Sequence, residues 1–143
     1  MRARWPLLLS VLAALPVVAG AAADAGVSGA ATAPAGIRKL EPAQFRAALE
    51  KARASGRPFT LLDVREPSET AAGYVAGAEL MPYTSGVFAS EHGKISKDRP
   101  VLLYCASGRR AGRAAEMLVA EGWKDVTVLS SGGYEDLRTP ARD

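Results

Sequence analysis

Cysteine is almost absent from this chain: Cys105 is the only one in 143 residues. A single thiol cannot close an intramolecular disulfide and cannot form the Cys-x-x-Cys pair of a thioredoxin-type oxidoreductase. Histidine is equally scarce. His92 is the sole example, and no group of His, Cys and acidic residues has the spacing of a metal-ligand set. His92 precedes Gly93 in a polar stretch and reads as a solvated loop residue rather than a general base. No uninterrupted apolar run reaches the roughly 20 residues of a bilayer-spanning helix, and no repeat of about 20 residues or more is present. Charge of one sign is lacking as well. Lys and Arg number 18 against 15 acids, a formal net charge of +3.

The N-terminus accounts for most of that excess. Arg2 and Arg4 give a basic start, Leu7 to Ala19 is apolar apart from Ser10 and Pro16, and Ala21-Ala22-Ala23 supplies small residues. This is the three-part pattern of a secretory signal peptide over residues 1–23. Cleavage is expected at Ala23–Asp24, with Ala21–Ala22 as the alternative bond. The apolar segment is too short, and too disturbed by Pro16, for a stable membrane anchor. Without residues 1–23 the balance is 16 bases to 15 acids, near +1. That is a poor electrostatic case for nucleic acid. Residues 24–36, rich in Ala, Gly, Ser and Thr, read as a flexible linker. Residues 37–143 are long enough for one domain with its own core. An unpaired cysteine in an exported protein suggests a free reactive thiol or pairing between molecules.

Strand and helix patterns alternate through that domain. Strands are expected at Ile37–Leu40, Phe59–Val64, Ala78–Met81, Val101–Tyr104 and Val126–Leu129. Helices are expected over Pro42–Ala54, Pro67–Ala72, Val87–Glu91, Ala111–Val119 and from Tyr134. Such alternation implies an α/β fold, an open and mostly parallel sheet with helices on both faces. Trp123, after Gly122, reads as core packing at a helix end.

The single thiol stands at an informative place. Val101-Leu102-Leu103-Tyr104 is a continuous apolar run, hence a buried strand. Cys105-Ala106-Ser107-Gly108-Arg109-Arg110 follows, and then a helix. Ligands of open α/β sheets bind at the C-terminal ends of strands. A compact loop can turn its N–H groups inward as an anion-binding nest, and the next helix adds positive charge at its N-terminus. Arg109 and Arg110 add two full charges. Such electropositive surroundings favour thiolate over thiol, whereas a lone cysteine in a plain strand end would act as a small hydrophobe.

Four segments, in order, resemble the motifs of the rhodanese-like sulfurtransferase family. Leu61-Leu62-Asp63-Val64-Arg65-Glu66-Pro67-Ser68-Glu69 is similar to the family's Asp-Val-Arg-Glu strand end. Gly73-Tyr74-Val75-Ala76-Gly77-Ala78-Glu79-Leu80-Met81-Pro82 resembles its Gly-His-Ile-x-Gly-Ala segment. Tyr104 to Arg110 resembles its catalytic loop, and Leu129-Ser130-Ser131-Gly132-Gly133-Tyr134 its closing Gly-Gly turn. Together they span about residues 37–138. Tyr74 stands where the family usually has His, and Leu137 near where many members have Trp. The resemblance implies a single-domain sulfurtransferase of the kind found in the periplasm of Gram-negative bacteria, with Cys105 as nucleophile.

The chemistry implied is two-step sulfur transfer. The Cys105 thiolate attacks the outer sulfur of an anionic donor such as thiosulfate, leaving a persulfide that passes its sulfur to cyanide or a thiol acceptor, which a protein partner could also supply. Ala106, Ser107, Gly108, Arg109 and Arg110 form the expected substrate-binding loop, with Arg110 holding the donor's sulfonate and Arg109 guiding anions at the mouth. Neither a metal nor an organic cofactor is needed. Asp63 and Arg65, at the end of another strand, read as an ion pair supporting the loop; Arg65 on the substrate is the sharper alternative. Phosphatase and arsenate reductase readings are disfavoured by spacing, because Cys-x5-Arg would require arginine where Ala111 stands. A non-enzymatic sulfur carrier of the same fold is the competing function.

Overall fold

The computed structural model describes residues 36–138. The segments read as signal peptide and linker, except Gly36, lie outside the described residues, as do residues 139–143. Five strands, β1 Ile37–Leu40, β2 Thr60–Asp63, β3 Glu79–Leu80, β4 Val101–Tyr104 and β5 Val126–Leu129, form one sheet in the order β1-β5-β4-β2-β3. Every pairing is parallel. Between them run α1 Pro42–Ala54, α2 Pro67–Thr70, α3 Val87–Glu91, α4 Arg109–Ala120 and α5 Tyr134–Arg138, with a short 3-10 turn at His92–Lys94.

The three central strands are buried at every residue, which is why they read as continuous apolar runs rather than alternating ones. Alternate side chains still part to opposite faces. Leu62, Leu103, Val126 and Val128 meet Ala114, Ala115, Leu118 and Trp123 on one face. Leu61, Leu102, Tyr104 and Leu129 meet Phe45 and Leu49 of α1 on the other. The alanines of α4 present little more than a methyl group to the sheet, so that helix packs close. Leu118, wholly buried, contributes about 1.5–3 kcal/mol by the area it removes from water. Pro42 begins α1, and Glu41 and Gln44 close a capping box around that first turn.

The structure corrects three expectations. Helix α4 starts at Arg109 rather than Ala111, so both arginines belong to its first turn. The strands expected at Phe59–Val64 and Ala78–Met81 are shorter at both ends, Thr60–Asp63 and Glu79–Leu80; Ala78 already belongs to the preceding turn, its N–H bonded to the Val75 carbonyl at 3.0 Å. His92 is not a solvated loop residue. The residue is 9% exposed, and its ring stacks 5.3 Å from Phe88 and packs near Trp123. Its Nδ1 lies 2.9 Å from the Phe88 carbonyl oxygen and its Nε2 2.7 Å from a Glu121 carboxylate oxygen. Trp123 is core, as expected, at 2% exposure.

Candidate active site

Strand β4 ends at Tyr104, and Cys105 is the next residue, fully buried. The chain then turns through exposed Ala106 and Ser107 to buried Gly108. Here the backbone N–H of Gly108 donates to the Cys105 Sγ at 3.0 Å. That bond needs the loop to fold back within three residues. Gly108 does so at φ +84°, a conformation costly to any residue with a Cβ, and an added Cβ would lie 2.8 Å from the Ser130 carbonyl carbon. Gly108 also caps α4, its carbonyl accepting the Gly112 N–H at 2.9 Å. The first N–H groups of an α-helix have no intrahelical acceptor; in α4 these belong to Arg109, Arg110 and Ala111. A thiol sulfur held by one N–H therefore sits beside further donors and a helix N-terminus.

A second turn fixes the loop from beneath. The Tyr134 N–H donates to the Cys105 carbonyl at 3.0 Å. Gly133 is packed so closely that a Cβ there would lie 2.6 Å from the Cys105 carbonyl oxygen and would collide with that of Ala106. Asp136 steadies this turn by accepting the Gly133 N–H at 2.8 Å.

Arg110 reaches across to α2. Its two terminal nitrogens lie 2.7 and 2.8 Å from the two Glu69 carboxylate oxygens, a bidentate pair that is partly buried on both sides. Arg110 holds the Glu69 carboxyl down to about 2. The guanidinium remains close enough to feel charge on Cys105. Glu69 also accepts the Glu66 N–H at 2.9 Å, and Glu66 accepts the N–H groups of Thr84 and Ser85 at 2.9 and 3.2 Å. Helix α2 thus links the cysteine loop to the turn after β3. Neither Glu66 nor Glu69 was singled out in the sequence. The visible signal was the capping box, Glu66-Pro67-x-Glu69, and the pairing with Arg110 across 41 residues was not visible.

Asp63 and Arg65 form an internal ion pair. Asp63 is fully buried and Arg65 is 5% exposed; Nε and Nη2 contact the carboxylate at 2.7–3.1 Å. Arg65 Nη2 also donates to the Gly73 carbonyl at 2.7 Å, and the guanidinium lies 4.1 Å from the Tyr134 ring centroid. It is closed off from solvent. Its contacts tie the end of β2 to α2, to the segment after it and to the Gly-Gly turn. Tyr104 accepts the Val75 N–H at 2.9 Å, and burial pushes its hydroxyl far above its ordinary range. Tyr74, in the position where His is usual, is 49% exposed and does not pack beneath the loop. Arg109 and Arg113 point into solvent. Among the described residues no group of three or more His, Cys, Asp or Glu could hold a metal ion, and no helix is long and apolar enough to cross a membrane.

The profile of the rhodanese-like domain matches residues 41–139. The chain belongs to that family. The uncharacterized protein YqhL of Bacillus subtilis is 34% identical over 67% of this chain and 69% of its own length. A sulfurtransferase of Allochromatium vinosum is 35% identical over 50% of this chain and 65% of its own. The "Probable adenylyltransferase/sulfurtransferase MoeZ" of Mycobacterium tuberculosis is 33% identical over 54% of this chain, which spans only 20% of that protein. Among solved structures, a rhodanese-like domain protein of Staphylococcus aureus superposes with a TM-score of 0.58 at 24% identity, over 74% of this chain and 96% of that one. A rhodanese-related protein of Thermoplasma volcanium gives 0.55 at 28% identity, over 70% and 89%. The rhodanese-like fold, with its all-parallel five-stranded sheet, is therefore the architecture that carries Cys105, and membership supports a role in sulfur transfer.

Proposed function

We propose that this rhodanese-like protein is an exported sulfurtransferase working through a persulfide on Cys105. The observation that carries the reading is the Gly108 N–H bond to the Cys105 Sγ within the four-residue loop, Cys105 to Gly108, that opens into α4. The thiolate attacks the outer sulfur of thiosulfate or a related donor. The S–S bond of the donor breaks, sulfite leaves with that bond's electron pair, and the outer sulfur stays on Cys105 as a terminal anion. The loop N–H groups stabilise that anion. Cyanide or a thiolate then attacks the terminal sulfur, forming thiocyanate or a new persulfide and restoring the Cys105 thiolate. Arg110 serves the donor's sulfonate once it turns from Glu69. The signal-like N-terminus supports delivery to the periplasm with cleavage after Ala23.

One observation favours the second reading, a sulfur carrier serving a single protein partner. Arg110 is already paired with Glu69, so a free anion must compete for it. A steady-state assay with thiosulfate and cyanide separates the two. The enzyme turns over many times per thiol, whereas the carrier gains a stoichiometric adduct of about 32 Da, one sulfur atom, and stalls.

A further inference from the structure

The outer face of α4 carries an open groove of about 700 Å3 that begins at Arg109, the first residue of the helix, and is lined by Tyr83, Gly112, Arg113, Glu116 and Met117 among others. Its far wall is the turn after β3, where Glu66 accepts the N–H groups of Thr84 and Ser85 and the Tyr83 N–H donates to the Val64 carbonyl at 3.1 Å. Arg109 directly follows Gly108, whose N–H holds the Cys105 sulfur. Arg113 lies one turn further along α4, about 6 Å by helical rise.

The charges in this groove are unsatisfied. Arg109 and Arg113 are both exposed, they stand at i and i+4 where like charges repel, and neither has an ion-pair partner among the described residues. This contrasts with Arg65 and Arg110, which are both paired. The lining thus carries two guanidinium groups and one carboxylate, Glu116, together with the apolar surface of Tyr83 and Met117. We infer that this groove seats the sulfur acceptor, and that the acceptor is a small aliphatic thiol carrying carboxylate groups. The inference rests on the reading of Cys105 as a persulfide site. In the transfer step the acceptor thiolate attacks the terminal sulfur of the Cys105 persulfide. The Cys105–S bond breaks, its electron pair returns to the Cys105 thiolate, and the acceptor leaves as a persulfide with no net oxidation. Both partners in that step are anions, and an acceptor with carboxylates adds to the repulsion. Arg109 and Arg113 offset it, while Tyr83 and Met117 cover the carbon skeleton.

The test compares two thiols, mercaptosuccinate and 2-mercaptoethanol, with thiosulfate as donor. The ratio of their kcat/KM values cancels effects on the donor step. Arg113→Gln lowers the ratio about threefold and Arg113→Glu about tenfold, on the scale of exposed ion pairs. Raising salt shrinks the wild-type ratio and moves the Arg113→Glu ratio much less. A ratio unchanged in Arg113→Glu overturns the inference. A second readout does not depend on turnover. Titrating the non-transferable 2-(methylthio)succinate into labelled protein shifts the amide signals of Arg109, Gly112, Arg113 and Glu116. Those shifts in a protein that never gains sulfur from thiosulfate uphold the groove and reject the Cys105 persulfide reading; active protein without them refutes the groove.

Discussion

The carboxylate of Glu69 on α2 and the guanidinium of Arg110 on α4 grip one another through two hydrogen bonds of 2.7 and 2.8 Å. Glu69 is held down to about 2 by Arg110, so the pair is present above the usual carboxylate range and is lost only as pH falls toward that value. At neutral pH a donor must win Arg110 from a carboxylate that is always charged. Glu69→Gln therefore lowers the KM for thiosulfate, about threefold to tenfold, by removing one competing charge. The change is the same at every pH above about 5. Arg110→Ala raises the KM about tenfold or more, since a charge-assisted contact is lost and Glu69 is left facing an anion. The double variant is less impaired than Arg110→Ala alone. An unchanged KM in Glu69→Gln refutes the competition.

Cys105→Ala abolishes both turnover and the sulfur adduct and leaves the fold in place, because the side chain removed is small. Circular dichroism and intact mass after thiosulfate treatment check both points. Turnover retained in this variant removes Cys105 from the mechanism.

Gly133→Ala forces a methyl group against the carbonyls of Ala106 and Cys105. It costs about 1–3 kcal/mol, as overpacking does, and slows sulfur transfer by moving the loop. Gly112→Ala meets nothing within 4 Å and lies inside α4, so it gains up to about 1 kcal/mol. Thermal melts of the two variants should move in opposite directions.

Hydrogen bonding to Glu121 raises the affinity of His92 for its proton. A raised folded-state value means that the extra stability is complete below the unfolded value, about 6.5, and fades as pH rises through the folded one. Glu121 is 51% exposed, so the gain is under about 1 kcal/mol. Urea unfolding of wild type and Glu121→Gln should differ near pH 5.5 and converge near about pH 9. A constant difference across that range rules out the His92 proton as its source.

Full-length chain produced in a Gram-negative host should yield periplasmic protein beginning at Asp24 or within a residue or two of it. N-terminal sequencing decides this. Protein beginning at Met1 in washed membranes rejects the export proposal.

Local pattern predicted much of this molecule. The limits of β1, α3 and β5 follow from apolar runs and their punctuation, and α1 follows from Pro42 and the period of Phe45 and Leu49. What escaped depends on distant partners. His92 beside Gly93 looks solvated until Glu121, 29 residues on, and the Trp123 ring close over it. The start of α4 was misplaced because Gly108, at φ +84°, caps a helix whose first turn holds two arginines rather than the usual apolar positions. Nothing local marked Glu69 as a partner of the cysteine loop. Only the parallel alignment of β2 beside β4 brings α2 within reach of Arg110.

The bond from the Tyr134 N–H to the Cys105 carbonyl also bears on when the site comes into being. Chains are made N-terminus first, so Cys105 emerges some thirty residues before the turn that anchors it, by the numbering itself. The edge strand β1 waits longer still, since its one neighbour is β5. During that interval the thiol belongs to an unfinished sheet and lacks its anchor at Tyr134. The last fifth of the chain thus completes the setting of the thiol, and an interrupted or trimmed product carries the cysteine without its anchor.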